Sequence, residues 1–413
     1  MTSHQLQFLF IDIALVLAVA RGLGHLAARI GQPAVIGEII GGVLLGPTLL
    51  GGPLSEALLP VEVRPVLAGL AGLGVALFMF AVGLEIDGAT LRGNGRVTAA
   101  AAVGSSAVPF LLGIGLALVL LRGHESAAPA AFTVFIGLSV SVTAFPVLAR
   151  ILTDRGLSRT VVGGIALATA AAVDVAVWVA LAGVNASVGA GNGHWPVLLV
   201  LPYLLVMLFA VRPLLRRYLA PGGEAKPVTP LRFAVVLTGA LLSAAASEAM
   251  GVHHVFGAFL FGLVLPRQGT RALREDLHER AGRLTGLLLP VYFVVAGFRV
   301  DLGDIGLPGL GELALIMLVA VGGKFGGTYL AVRSQKLPHR SAAALASLMN
   351  TRGLTELVIL GVGLELGLLD GSLYSMMVVM AVVTTMMTGP LLSRFQPGPP
   401  APRDRIAAPA GSA

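Results

Sequence analysis

Long apolar runs broken by short polar stretches fill this 413-residue chain. A run of roughly 20 apolar residues crosses a bilayer as a helix, and on that basis hydropathy predicts thirteen spans. Two of them, Val35–Leu50 and Val255–Pro266, are short and glycine-rich. Two others, Pro129–Leu152 and Ala342–Leu364, are interrupted: one by SVSVTAFP around Thr143, Ala144 and Pro146, the other by Asn350-Thr351-Arg352-Gly353. The pattern predicts an all-α polytopic membrane protein over residues 1–393, followed by a short disordered cytoplasmic tail, 394–413, rich in Pro, Ala and Gly.

The short and interrupted spans recur seven spans apart. An odd offset means that spans 1–6 and spans 8–13 enter the membrane in opposite directions, an inverted repeat. Matching interrupted segments in inverted halves point to a binding site near the midplane. Hydropathy alone carries this match, and no residue-level identity between the halves is evident.

Composition sharpens the class. Only 12% of residues are charged against 56% hydrophobic, and the 54 glycines suit close helix contact. The absence of cysteine excludes disulfides, thiol nucleophiles and cysteine metal sites. The net charge of +7 is a matter of orientation rather than of nucleic acid. With the N-terminus outside, 23 of the 28 lysines and arginines fall in inside segments and three in outside loops; Lys324 and Arg352 lie within spans. That asymmetry supports thirteen spans with the C-terminus cytoplasmic; the expected location is the plasma membrane. The N-terminus lacks the basic region of a cleavable signal. The charged stretch Thr270–Arg283 is expected to be a helical connector at the inner surface.

Candidate chemistry sits where charge interrupts apolar sequence. Asp174 is the one ionisable residue of span 6, Val161–Val184. A carboxylate at that depth costs about 2.5–3.5 kcal/mol to insert, which makes an ion or proton site the default reading. Pro146 lacks a backbone donor and is expected to leave a carbonyl free. Asp174, the Thr143 hydroxyl and backbone oxygen at Ala144 then form the expected cation and proton site, with Asp174 a transient ligand of Na⁺ or K⁺. Lys324, in GGKFGG, is expected in the core. Arg352 cannot shed its proton; it needs Glu248 or Glu356 as a partner and reads as a brace for the broken helix at Gly353. Glu38 opens span 2. His253 and His254 are not a metal signature, because adjacent positions on a helix point apart; a packing or pH-responsive role is expected for them.

Seven stretches together resemble the monovalent cation:proton antiporters, in their Kef-like and plant-CHX-like branch. They are QPAVIGEIIGGVLLGP, LFMFAVGLEID, SVSVTAFPVLARIL, AAAVDVAVW, HHVFGAFLFGLVLPR, GGKF and MNTRGLTELVIL, in the family's order. The resemblance implies a homodimer, two crossing broken helices, and exchange of Na⁺ or K⁺ for H⁺ by an elevator-like movement. Relatives usually carry a polar pair where this chain has Val173-Asp174, so only the second position carries over. Lys324 matches a lysine that pairs with the first acid in electrogenic relatives, and that partner is absent. No nucleotide-binding regulatory domain is expected on this chain.

These readings converge on a secondary antiporter that works by alternating access. Burial disfavours a charged carboxylate, so H⁺ competes with the cation for Asp174. The expected partners are the two ions, membrane lipid and a second copy of the chain; no cofactor and no nucleic acid is expected. A K⁺ efflux system is the rival within the class. A non-transporting sensor or scaffold on the same fold is the rival outside it. No nucleophile–base pair supports an enzyme.

Overall fold

A computed structural model describes residues 3–49, 56, 59–60, 62–85, 95–124, 126–157, 160–188, 199–219, 229–250, 253–266 and 271–395. Helices account for its regular structure. The first half holds α1 (Ser3–Arg29), α2 (Ala34–Leu45), α3 (Arg64–Glu85), α4 (Gly95–Leu120), α5 (Pro129–Ser141), α6 (Phe145–Asp154) and α7 (Val161–Val188). A bent element follows: α8 (Val200–Val206), a π-helical turn Met207–Val211, and α9 (Arg212–Leu219). The second half holds α10 (Pro230–Ala249), α11 (His254–Val264), α12 (Arg271–Phe298), α13 (Gly306–Ser334), α14 (His339–Met349), α15 (Leu354–Glu365) and α16 (Gly371–Phe395).

Eight helices among the described residues are long and apolar enough to cross a membrane. The remaining expected spans are short (α2, α11), divided (α5/α6, α14/α15) or bent (α8–α9), so length alone does not establish thirteen crossings. Two boundaries move. The charged stretch expected as a separate connector is the first half of α12, which runs unbroken from Arg271 into the apolar span. Arg280 and Arg283 pair with Asp276 and Glu279 at 2.8 and 3.2 Å, one turn apart, and so continue the helix through the polar stretch. At the far end α16 continues through Phe395, past the expected start of the tail, and residues 396–413 lie outside the described residues.

The repeat is visible in the packing, down to single residues. Helix α1 packs on α2 as α10 packs on α11; α2 packs on α12 as α11 packs on α3. A side chain at Gly37 would strike the α1 backbone at Leu23, and one at Gly257 the α10 backbone at Ser243. Gly41 faces Val19, while at the matching positions Phe261 faces Gly239, so the bulky partner has changed sides. Gly42 lies on Gly297 and Gly262 on Gly83, backbone against backbone. Each first-half position of α1 and α2 is separated from its counterpart by the same number of residues. The halves therefore do match residue by residue, and swapped volumes hide it.

These contacts divide the helices into two bundles. Helices α1–α3 and α10–α12 form one; α4–α7 and α13–α16 form the other, joined to the first chiefly through α12 and α15. Within the second, α4 lies along α13, with Gly104 against Gly327. The two divided helices meet at its centre.

Candidate functional site

Both divided helices break within the second bundle, and the breaks bond to each other. The Ala144 N–H donates to the Thr351 carbonyl at 3.0 Å, and the Thr143 hydroxyl to the Met349 carbonyl at 3.0 Å. Gly353 has φ 156°, a backbone that side-chain-bearing residues rarely adopt, and a Cβ there would press on Val147. Pro146 acts differently from expectation. The break spans Val142–Ala144, and Pro146 is the second residue of α6. An N–H in the first turn has no intrahelical partner in any case, so proline starts this helix rather than disrupting it.

The exposed carbonyls belong instead to the end of α5. The last four carbonyls of a helix lack intrahelical donors, and here all four find side chains. Leu138 accepts from the Ser141 hydroxyl at 2.8 Å. Arg352 donates to Ser139 at 2.9 Å and to Val140 at 2.6 Å. Lys324 donates to Ser141 at 2.6 Å and also to the Thr143 hydroxyl. Two cations thus sit at the negative end of the α5 dipole. Both are fully buried.

Arg352 also pairs with Glu356 at 2.8 Å. Glu356 is the partner; Glu248, the other candidate, lies on α10 beside His254 at 3.1 Å, away from the breaks. The Arg352 N–H donates to the Thr385 hydroxyl at 3.0 Å, which anchors the second break to α16. Sequence gave no sign of Thr385, since one more threonine in an apolar helix is unremarked until the break faces it.

Asp174 completes the constellation. It is 3% exposed on α7, and its Oδ2 accepts from the Phe145 N–H at 3.3 Å, at the positive N-terminus of α6. Its Oδ1 has no hydrogen-bond partner among the described residues. Thr355 and Lys324 lie near enough to act on it. Thr143, expected beside it, spends its hydroxyl on Lys324 and Met349. Val173 is buried in the apolar core.

Two cavities lie between the bundles. One, of about 230 Å³, is lined by Arg21, Glu38, Val147, Arg150 and Leu354; Val147 and Leu354 belong to the first turns after the two breaks. Glu38 is buried there, within reach of the Arg21 and Arg150 charges. The other, of about 140 Å³, is lined by Glu248, His254, Arg299, Leu357 and Tyr374.

Comparison with known proteins fits this geometry. A family model described as "Sodium/hydrogen exchanger, transmembrane" matches residues 13–395. The chain belongs to this sodium/hydrogen exchanger family. Na(+)/H(+) antiporter NhaS4 of Synechocystis sp. is 36% identical over 97% of this chain and 100% of its own. Cation/H(+) antiporter 17 of Arabidopsis thaliana is 38% identical over 96% of this chain and 49% of its own. K(+)/H(+) antiporter 1 of Saccharomyces cerevisiae is 33% identical over 96% and 47%. The chain therefore spans about half the length of the plant and yeast relatives. In fold, this exchanger-family chain resembles the sodium proton antiporter MjNhaP1 of Methanocaldococcus jannaschii, with TM-score 0.69 and 13% identity over 94% of this chain and 96% of that one.

Proposed function

We propose that the chain is a cation/H⁺ antiporter in which a monovalent cation and H⁺ compete for Asp174. The observation that carries this reading is the buried Asp174 carboxylate, with one oxygen on the Phe145 N–H and, among the described residues, no cationic side chain hydrogen-bonded to it. A buried carboxylate needs a charge-neutralising partner, and H⁺ or an alkali cation supplies one. Carbonyl and hydroxyl oxygens around the breaks are suitable further ligands for a hard cation. Lys324 and Arg352 serve a different need, since both are engaged at the end of α5.

Coupling follows from charge. With Asp174 protonated or cation-bound, its carboxylate is neutralised and the site crosses the apolar barrier cheaply. Empty, it is a buried ion without a partner, and reorientation is costly. The two-bundle packing supports alternating access, in which the α4–α7/α13–α16 bundle moves against the other and exposes the breaks to one cavity and then to the other. Relatives are named for Na⁺ in one case and K⁺ in another, so either ion suits the reading, in a homodimer in the plasma membrane with its C-terminus cytoplasmic.

The test is purified Asp174→Asn in proteoliposomes beside wild type, with Na⁺, K⁺ and Li⁺ gradients tried in turn. Wild type should move protons in response to at least one cation. Asp174→Asn should fold, insert and move none; substantial cation-driven proton flux through it would overturn the mechanism.

A further inference from the structure

The connector between α10 and α11 holds a cluster that exchange at Asp174 leaves unused. Glu248 lies in the last turn of α10, His253 caps α11, and His254 is its first residue. Glu248 Oε2 accepts from the His254 N–H at 2.7 Å and lies 3.1 Å from His254 Nδ1. The two imidazoles stack with centroids 4.1 Å apart. The expectation that neighbouring histidines diverge holds inside a helix; here they straddle a helix start, where it does not apply. One ligand atom from each of the three residues lies within 4.8 Å of the other two.

We propose that Glu248, His253 and His254 form a binding site for a transition-metal dication of the zinc type. Two imidazoles and one carboxylate are a zinc donor set, whereas calcium and magnesium take mainly oxygen. Metal–ligand bonds of about 2.0–2.2 Å in a tetrahedron put ligand atoms about 3.3–3.5 Å apart. The Glu248–His254 pair, at 3.1 Å, is already near that edge length, and all three ligand atoms lie within 4.8 Å of one another.

His253 is prepared for this role. Its Nδ1 faces the Val255 N–H at a long 3.4 Å, leaving that lone pair weakly used. Coordination at His254 Nδ1 replaces the proton shared with Glu248, and that proton leaves to solvent. All three residues line the cavity between the bundles. Arg299, the cation that also lines this cavity, is paired with Glu365 at 3.8 Å.

The fold does not require these side chains. In the α1–α2 connector of the other half, the matching positions are Ala28, Pro33 and Ala34, and the flanking helices end and begin at matching residues, Arg29 with Ala249 and Ala34 with His254. Ligand-type residues have been placed on one copy of the turn only.

The test uses the tag-free full chain in detergent, stripped with chelator and dialysed. It is titrated with Zn²⁺ by calorimetry and with Co²⁺ by visible absorption, which reports tetrahedral coordination. Wild type should bind one ion per chain. His254→Ala and Glu248→Gln should bind at least about tenfold more weakly. His253→Asn keeps a capping side chain and loses the imidazole, so it should weaken binding by a similar factor while circular dichroism stays unchanged. No saturable binding by wild type, or wild-type affinity in all three variants, would overturn the proposal and leave a hydrogen-bonded cluster only.

Discussion

The Lys324 ammonium donates to the Ser141 carbonyl across 2.6 Å, joining the middle of α13 to the broken end of α5. Both groups are buried in apolar surroundings, so neither has water as a substitute. Lys324→Met strands the Ser141 carbonyl and removes the donor to Thr143. A stranded buried acceptor costs about 1–3 kcal/mol. Thermal unfolding in detergent should show that loss; a variant as stable as wild type would mean that the carbonyl finds another donor.

Arg352 should matter more to folding than Lys324. It satisfies two carbonyls and pairs with Glu356, all at full burial. Breaking a buried pair by removing one member typically costs about 3–5 kcal/mol, a large share of the roughly 5–15 kcal/mol margin of native proteins. Arg352→Ala should give little folded protein by size-exclusion chromatography. Arg352→Lys should recover only part of the yield, because an ammonium lacks the planar fork that reaches both carbonyls. A stable but inactive Arg352→Ala would place the arginine in the transport site instead.

Much of this arrangement is legible in the sequence. Asp174, the two interrupted spans and the Arg352–Glu356 spacing stand out because charge and helix breakers are costly in apolar runs. The work of Lys324 is not legible, since its partner is a backbone carbonyl and every residue has one. Identity between the halves is masked at pairs such as Val19/Gly41 and Gly239/Phe261, where packing conserves joint volume and not either residue. The charged start of α12 reads as a connector because hydropathy tracks solvent, while the helix depends on backbone bonding and on pairs such as Asp276–Arg280.

His124 gives a pH signature away from the transport site. It follows α4 and bridges two acids on separate elements, Asp370 at 2.5 Å and Glu312 at 2.9 Å. Burial opposes its protonation, but the two carboxylates outweigh burial and raise it above its ordinary value. A group raised on folding stabilises fully below its unfolded value, about 6.5, and the gain is lost as pH rises through the folded value. Thermal stability of wild type relative to His124→Gln should therefore rise as pH falls through the raised folded value toward about 6.5. Equal pH slopes for the two proteins would show that the bridge is not charged in the folded state.

Stoichiometry follows from Val173. A site with two titrating acids can exchange two protons for one cation and move net charge. Here Val173 is buried and cannot titrate, leaving Asp174 as the carboxylate of the site. Glu356 is held by Arg352, and Lys324 is bound to Ser141 and Thr143 rather than hydrogen-bonded to Asp174. One carboxylate trading one proton for one cation moves no charge, so exchange should be electroneutral. In proteoliposomes with a fixed cation gradient, the potential can be clamped with an ionophore for a non-transported ion. The pH gradient at which flux reverses should then be independent of the clamped potential. A reversal point that shifts with potential would bring a second proton into the cycle. Lys324 would be its source, because it lies beside Asp174 and its ammonium is hydrogen-bonded to Ser141 and Thr143 rather than to a carboxylate.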